Sequence, residues 1–293
     1  MDFAHLHVAS AYSMRHGASM PADLVARAAE HGQSMLALTD RDGVYGAVRF
    51  VQACAAAGIA PVLGVDLAVD LPRAGRQHVG PRNVGGAGRP MPPAARPPST
   101  GERLPDGVGS TSAQGASPAR GGAWVDPRHP RAVFLARDRR GWSSLCQLIS
   151  AMHARRASDH VDTRSDARSV AVSLDQIAAH ADGLIALLGP HSAVAEALAA
   201  RRPDRADALI APWREIFGDS LRIEIVSHRA YRGTLSTSVA ARMLGWARER
   251  GITPVLAHAV RYAEPRQGRI VDVLDATRRL VALDERHRDR PNA

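Results

Sequence analysis

The amino-acid sequence predicts an α/β fold, in which helices cover the faces of a parallel sheet. Short runs that are apolar throughout alternate along the chain with stretches of helical periodicity, which is typical of buried parallel strands. Seven such strand–helix units favour a closed or nearly closed barrel over an open sheet. With 293 residues, 45% of them hydrophobic, the chain is long enough for one barrel-sized domain or two smaller ones.

The strands and helices follow one another in regular order. The first helix has Pro21 in its first turn and Gly32 as its stop, and Gly58 closes the second helix. The predicted strands are 3–8, 35–39, 60–69, 132–136, 183–188, 221–226 and 255–258. The predicted helices are 20–32, 44–57, 142–155, 193–200, 205–217, 235–251 and 266–279.

A long interruption separates the third strand from the fourth. Residues 72–130 are rich in Gly, Pro, Arg and Ser and show no periodicity, so they cannot bury enough surface to offset their ordering entropy. Because units of the same kind continue on both sides, we expect one domain built from residues 1–72 and 129–280. Residues 73–128 are then a disordered insertion, and the polar stretch 157–170 is a shorter loop.

The charge and the motifs of the chain narrow the range of functions. The net charge is +9, but eight arginines fall within residues 73–128, so the basicity favours a nucleic-acid partner only weakly. No secretory signal or run of 18 apolar residues occurs, so a cytoplasmic protein with no membrane partner is expected. P-loops, dinucleotide-binding glycine motifs, nucleophile elbows and Cys-x-x-Cys pairs are absent from the sequence.

Metal-binding residue types occur at or near the ends of the first two strands. His5 and His7 are two apart on the first strand, so they point to one face and could present two imidazoles to a metal ion. With thirteen histidines in the chain, a chance pair is the better explanation of that motif alone. Asp40 ends the second strand, where an aspartate is often only a turn former or a helix cap.

Later strands carry further candidates. Asp66 lies inside the apolar third strand, where a carboxylate is costly unless it is coordinated or paired. Glu224 and His228 bracket the end of the sixth strand, and either a metal or an arginine would satisfy the glutamate. His258 on the seventh strand is equally consistent with a satisfied core histidine.

Several segments together resemble the PHP domain (polymerase and histidinol phosphatase) of bacterial DNA polymerase III α chains, with the error-prone branch favoured. They include Leu-His-Val-Ala-Ser-Ala-Tyr-Ser-Met-Arg-His-Gly at 6–17, Thr-Asp-Arg-Asp-Gly-Val-Tyr-Gly at 39–46, Gly-Val-Asp at 64–66, and residues 133–138, 223–228, 259–262 and 272–276. The resemblance covers the chain outside the insertion and the polar loop. It implies a distorted seven-stranded barrel. In members with an intact site, it also implies a cluster of up to three metals that supports phosphoester hydrolysis, in some polymerases 3′–5′ proofreading.

The resemblance assigns metal-ligand positions, and this chain keeps only part of the set. His7, Asp40 and His228 remain, His16 stands in place of an acidic ligand and Asp66 in place of a glutamate, and both could still bind a metal; Glu224, at the end of the sixth strand, is added as a candidate from its position. At five other positions the ligand is replaced, by Ala9, Arg41, Arg131, Ala259 and Arg261, unless His129 shifts into the place of Arg131. An arginine brings fixed positive charge and can take the place of a metal by pairing with a carboxylate. We therefore expect a degenerate site with no resident cofactor; zinc or manganese would bind only if residual competence remains.

The family resemblance also suggests partners. Residues 281–293 resemble the start of the linker toward a polymerase palm, whose motifs we expect in the genomic sequence downstream. DNA and the replication machinery are then partners through the parent polymerase, and this chain alone is expected to be a non-catalytic module. The sequence leaves two other readings open: an active metal-dependent phosphoesterase or exonuclease, and a decayed gene product without a function of its own.

Overall fold

The computed structural model describes residues 3–71, 129–158, 171–230, 233–279 and 283. The strands are β1 (Met35–Arg41), β2 (Ala60–Asp70), β3 (Arg131–Ala136), β4 (Val172–Ser173), β5 (Leu184–Leu188), β6 (Leu221–Ile225) and β7 (Pro254–Leu256). The helices are α1 (Pro21–Glu30), α2 (Ala47–Ala57), α3 (Arg139–Ser158), α4 (Leu174–Ala179), α5 (Ala193–Ala199), α6 (Pro203–Phe217), α7 (Thr237–Glu249) and α8 (Gly268–Arg279). The fold is mixed α/β, with strands and helices in alternation.

The strands form one curled sheet in the order β1-β2-β3-β5-β6-β7, and β4 pairs with β2. Strand β3 is antiparallel to both of its neighbours, whereas the other pairs are parallel. The prediction of a wholly parallel sheet is therefore wrong at β3. An apolar run fits either strand direction equally well, so the hydrophobic pattern could not reveal this reversal.

The amino-terminal segment, predicted as the first strand, forms single bridges instead of a regular ladder. His5 pairs with Leu36 of β1, and Val8 pairs with Val260, which follows β7. The N–H of Ala9 donates to the carbonyl of Val260 at 2.9 Å. This segment therefore makes backbone contacts with β1 at one end of the strand order and with the residues after β7 at the other.

The largest core cluster joins the sheet to the helices packed on it. Phe134 of β3 packs against Trp213 and Phe217 of α6, with ring centroids 6.2 and 6.0 Å apart. Because aromatics make up only 4% of the chain, the rest of this core is built mainly from Leu, Val, Ile and Ala. Full burial of each large side chain contributes about 1.5–3 kcal/mol, so this cluster supplies much of the stabilisation.

Local capping signals fix where the helices begin and end. The hydroxyls of Ser192 and Ser236 accept hydrogen bonds from backbone N–H groups in the first turns of α5 and α7. Gly58 ends α2 in the left-handed conformation, with φ at +69°. These boundaries leave the loops after β1, β6 and β7 at the carboxyl ends of their strands, where the candidate site residues lie.

Some predicted boundaries differ from the structure. Helix α3 continues to Ser158, past the predicted start of the polar loop, and the pair of β4 and α4 was not predicted. A two-residue strand is too short to show periodicity. The predicted insertion at 73–128 and the rest of the polar loop lie outside the described residues, as do 281–282 and 284–293. Within the described ranges, no helix has the length and apolarity needed to span a membrane.

Candidate site at the carboxyl ends of the strands

Asp66 on β2 lies between two arginines that reach it from the adjacent strands. It is opposite Arg41 in the parallel register of β1 with β2, while Arg131 is opposite Ala68, one pleat further along the same face. The Nε–H of Arg131 donates to Oδ1 of Asp66 at 2.9 Å, and the Nε–H of Arg41 donates to Oδ2 at 3.2 Å. Guanidinium groups therefore engage both carboxylate oxygens.

The electrostatics of this cluster follow from burial opposed by pairing. Burial alone would raise the pKa of Asp66, but Arg131 and Arg41 outweigh it and lower that pKa to about 2. Burial and the charge of Arg131 lower the pKa of Arg41 to about 9. The pKa of Arg131 is raised despite its burial, because Asp66 and Asp42 hold its charge, Asp42 at 2.9 Å from Nη2. Asp66 is thus an ionised, desolvated and paired carboxylate.

His7 and Glu224 form a second buried pair. Nδ1 of His7 lies 2.8 Å from Oε1 of Glu224, and each side chain is less than a tenth exposed. Burial lowers the pKa of His7, but the charge and hydrogen bond of Glu224, together with the charge of Asp66, outweigh it and raise this pKa. The other oxygen of Glu224, Oε2, has no hydrogen-bond partner. A Cβ at position 189 would lie 1.9 Å from that oxygen, so Gly189 leaves the space that Glu224 occupies.

Asp40 is held by the loop that follows the amino-terminal segment. Its Oδ1 accepts hydrogen bonds from the backbone N–H of Ser10 at 2.7 Å and from the hydroxyl of Ser13 at 2.7 Å. Burial raises the pKa of Asp40, although these hydrogen bonds oppose the shift. The Ser13 hydroxyl also accepts from the backbone N–H of Arg41 at 2.9 Å. Asp40 therefore fixes this loop against the end of β1.

His16 lies beside Arg261, which connects the loop that contains His16 to α8. The Nε–H of Arg261 donates to the backbone carbonyl of His16 at 3.0 Å, and its two Nη groups bind Asp275 of α8 at 2.7 and 2.8 Å. Arg278 donates to the same carboxylate at 2.9 Å. His16 is 7% exposed, and its Nδ1 has no hydrogen-bond partner. Burial and the neighbouring arginines, Arg41 first, lower its pKa well below the usual value, so the ring is neutral.

The last predicted ligand lies in the loop after β6. Nε2 of His228 is 2.7 Å from the backbone carbonyl of His258, and the His228 N–H donates to the carbonyl of Leu235 at 3.0 Å. These bonds connect the loops that follow β6 and β7. His228 therefore has backbone partners on both of its neighbouring segments.

The predicted ligands are bound by different kinds of partner, although Asp66 and His7 lie close enough for their charges to interact. Asp66 is paired with arginines, His7 with Glu224, Asp40 with serines, and His228 with a backbone carbonyl. In the part of the chain that the structure describes, no group of three or more His, Cys, Asp or Glu side chains is placed to hold a metal ion. As arranged there, these side chains do not fit a cage for a cluster of divalent ions, which needs several converging free oxygens or imidazole nitrogens.

Comparison with known proteins identifies the family. The model of the PHP domain matches residues 5–228. The chain belongs to the PHP domain family. It is 31% identical over 298 aligned residues to the error-prone DNA polymerase of Nocardia farcinica, covering 97% of this chain and 24% of that protein. It is 27% identical over 287 residues to the error-prone DNA polymerase of Cutibacterium acnes, covering 97% of this chain and 20% of that protein.

A solved structure supports the PHP fold. The crystal structure of a protein named as a metal-dependent phosphoesterase, from Bifidobacterium adolescentis, matches with a TM-score of 0.51 at 12% identity. The match covers 90% of each chain. At that identity it supports the fold alone. The PHP chain spans about a quarter or less of the length of the polymerases that it matches.

Arg41, Arg131 and Arg261 are in contact with buried groups of this PHP domain. Arg41 and Arg131 bind Asp66, and Arg261 binds Asp275 and the carbonyl of His16. The partner role of Asp275 was missed, because it lies on a helix rather than at a strand end. Its spacing of three residues from Arg278 on α8 was a signal available in the sequence.

Proposed function

We propose that this PHP domain is a non-catalytic module of an error-prone DNA polymerase of the III α type, in which arginines have replaced the metal cluster. The matched relatives are named error-prone DNA polymerases, and this chain corresponds to a fifth to a quarter of their length. Polymerase activity is therefore proposed for the parent protein. DNA and the replication machinery would be partners of that parent protein, in the cytoplasm. The domain would comprise residues 1–72 and 129–280, interrupted by an insertion at 73–128.

One observation carries the proposal of a degenerate site. Asp66 is 2% exposed, and each of its carboxylate oxygens accepts a hydrogen bond from an arginine. A divalent ion would have to displace these guanidinium groups, and repulsion between the ion and the two charges opposes that step. Breaking such a buried pair costs about 3–5 kcal/mol. The site at the carboxyl ends of the strands would then be a stable structural element of the proposed parent polymerase.

The backbone gives independent support for a lost ligand. Ala259, at one of the replaced positions, has φ at +50°, a left-handed conformation that costs an alanine about 1–2 kcal/mol. Aspartate tolerates this conformation better than alanine, because its short polar side chain can hydrogen-bond locally. The conformation at Ala259 therefore fits a site whose acidic residue was replaced while the backbone was retained.

One feature favours a second candidate function, a metal-dependent phosphoesterase or 3′–5′ exonuclease. Oε2 of the buried Glu224 has no hydrogen-bond partner, and an unsatisfied carboxylate oxygen beside His7 is a usable metal ligand. The Bifidobacterium adolescentis protein is named as a metal-dependent phosphoesterase. A single ion held by His7 and Glu224 would be weaker than a cluster of several ions, because fewer ligands converge on it.

Measurements of metal content and of hydrolysis together distinguish the non-catalytic module from the metal-dependent phosphoesterase or exonuclease. The purified full chain is equilibrated with zinc or manganese, exchanged into metal-free buffer, and measured by plasma mass spectrometry and with a phosphodiester substrate. We expect well below one ion per chain and no difference in hydrolysis between the wild type and His7→Ala. Stoichiometric metal that is lost together with activity in His7→Ala would instead establish the phosphoesterase. The exposed Asp182→Asn variant, whose carboxylate binds only Arg140 among the contacts described, serves as the matched control.

A further inference from the structure

Arg41 uses only part of its guanidinium group to bind Asp66. Its Nε–H donates to Oδ2 of Asp66 at 3.2 Å, and among the described residues its side chain makes no other hydrogen bond. Nη1 of Arg131 is buried without a partner, but the Nη groups of Arg41 are not buried in this way, and the Arg41 side chain is 14% exposed. Solvent therefore reaches a pair of Nη groups whose N–H donors have no acceptor in the part of the chain that the structure describes.

The charges around Arg41 leave an excess of positive charge at its Nη groups. Three other arginines repel its charge: Arg131, Arg278 and Arg261. The carboxylate of Asp66 attracts it. An anion bound at the Nη groups of Arg41 would offset the repulsion, and by more than in bulk water, because the site is partly buried.

The carboxylates at this end of the sheet have other partners. Both oxygens of Asp66 already accept from arginines. The remaining acids are bound elsewhere, Asp40 by serines, Asp42 by Arg131, Glu224 by His7 and Asp275 by Arg261 and Arg278. The free oxygen of Glu224 is itself buried. An acceptor for the Nη groups of Arg41 would therefore come from a ligand.

An exposed histidine lies close to Arg41. His191 follows β5, and its carbonyl accepts a hydrogen bond from the backbone N–H of Arg131 at 2.8 Å, which holds this loop against the start of β3. The residue is exposed. Among the charged groups that act on its ring, Arg41 acts most strongly. Even a neutral imidazole carries one N–H donor, so His191 adds a donor beside the Nη groups of Arg41.

These donors match a phosphate group better than a carboxylate. The planar guanidinium binds two oxygens of either group through parallel hydrogen bonds. A terminal phosphate has a third free oxygen for the ring of His191, which a carboxylate lacks. It also carries a charge of about −1.5 to −2 at pH 7, which suits a site with several arginines.

We propose that Arg41 and His191 bind a terminal phosphate group directly, without a metal ion, at the carboxyl ends of the strands. The Nη groups of Arg41 donate to two phosphate oxygens and the ring of His191 donates to a third. The phosphate comes from the end of a DNA strand, from a nucleotide or from inorganic phosphate. This phosphate site deepens the proposed non-catalytic role and rests on it, because arginines must stand where a metal cluster would otherwise be held.

Binding is measured with the full chain in buffer that contains a metal chelator. Phosphorus NMR titrations with inorganic phosphate and a nucleoside monophosphate, and fluorescence anisotropy with an end-phosphorylated oligonucleotide, should give a dissociation constant below about 1 mM for at least one of them. Comparison among the three identifies the source of the phosphate. Acetate, the nucleoside and the hydroxyl-ended oligonucleotide should each bind at least about ten times more weakly than their phosphate-bearing counterparts.

Two variants and one control locate the site. Arg41→Lys keeps the positive charge but removes the paired Nη donors, so it should weaken binding about tenfold or more. His191→Ala removes an exposed donor and should weaken binding about threefold or more. Arg140→Ala, at the far end of β3 from Arg131, removes a surface charge and should leave the affinity unchanged. Circular dichroism checks that each variant is folded, and His191→Ala decides the matter if Arg41→Lys is not.

Three results would overturn the proposal. They are no binding of any phosphate-bearing ligand at about 10 mM, wild-type affinity in a folded site variant, and binding that the chelator abolishes. The third result would mean that a metal holds the phosphate, and it would contradict the proposed loss of the metal cluster as well. Absence of binding with and without the chelator, in a chain that also holds no metal, would overturn the phosphate site alone.

Discussion

At the scale of single residues, the main feature of the strand-end site is the buried carboxylate of Asp66 and the arginines that bind it. A carboxylate at 2% exposure is tolerated only with partners, and Arg131, itself 6% exposed, supplies hydrogen bonds to both the side chain and the backbone carbonyl of Asp66. A surface pair of similar length, Arg140 with Asp182 at 2.7 Å, is a natural comparison, since its side chains are 77% and 61% exposed.

Replacing Arg131 or Arg140 with alanine should distinguish the buried ion pair from the exposed one. Arg131→Ala leaves Asp66 with one partner in a dry site and should lower the free energy of unfolding by about 3–5 kcal/mol. Arg140→Ala should cost about 1 kcal/mol or less, because water replaces the lost partner. Urea unfolding followed by circular dichroism measures both. Equal losses in the two variants would show that the Asp66 pair is as solvated as the surface one.

The lowered pKa of Asp66 predicts how its contribution varies with pH. An aspartate has a pKa of about 3.9 when unfolded, and that of Asp66 is about 2 in the fold. Because the folded value is depressed, the stabilisation is fully present above about pH 4 and is lost as pH falls through about 2.

The stability difference between the wild type and Asp66→Asn should therefore shrink as pH falls from about 5 to about 2. Urea unfolding of both proteins across that range measures it, and distant carboxylates cancel in the comparison. A difference that stays constant down to pH 2 would contradict an ionised, arginine-bound Asp66.

At the scale of elements, close packing fixes the distance between α3 and the start of β5. A Cβ on Gly141, in the first turn of α3, would lie 2.0 Å from the carbonyl oxygen of Gly183, which precedes β5. That carbonyl also accepts the N–H of Arg137 at 3.0 Å. Backbone cannot move aside as a flexible side chain can, so the helix and the strand approach each other this closely only with glycine at 141.

Two glycine-to-alanine changes in helices should therefore have opposite signs. Gly141→Ala should destabilise the protein by about 2 kcal/mol or more, since helix and strand must separate. Gly245→Ala, on the exposed side of α7 with nothing within 4 Å of the added Cβ, should stabilise it by about 0.5–1 kcal/mol through helix propensity. Thermal unfolding of both variants measures the signs. A neutral Gly141→Ala would mean that α3 does not contact Gly183 so closely.

The elements themselves were largely predictable from the sequence, because their apolar periods and stop signals are local. Helix α2, closed by Gly58, and strand β2 agree with the predicted ranges to within a few residues. The direction of β3 was not predictable, since strand direction depends on the chain path rather than on composition. The ladder of the first strand was over-predicted, because an apolar run such as 3–8 does not reveal how many residues will pair.

For the whole molecule, the family could be inferred from the sequence, but the partners of the candidate residues could not. The family resemblance predicted that Arg41 and Arg131 lie near Asp40, Asp66 or Glu224, without showing that Asp66 is the carboxylate that both arginines bind. The pairing of His7 with Glu224 joins residues 217 positions apart, so no local pattern indicates it. Such contacts depend on the register of strands distant in sequence, which only the folded chain defines.

One diffraction measurement can test whether arginines, rather than metal ions, bind the buried carboxylate of the strand-end site. Crystals of the chain grown with manganese are measured at a wavelength where manganese scatters anomalously. We predict no anomalous peak bound by protein atoms among Asp66, His7 and Glu224, with Arg41 and Arg131 still on Asp66. Two or more manganese ions held there by protein oxygens and imidazoles would contradict the account.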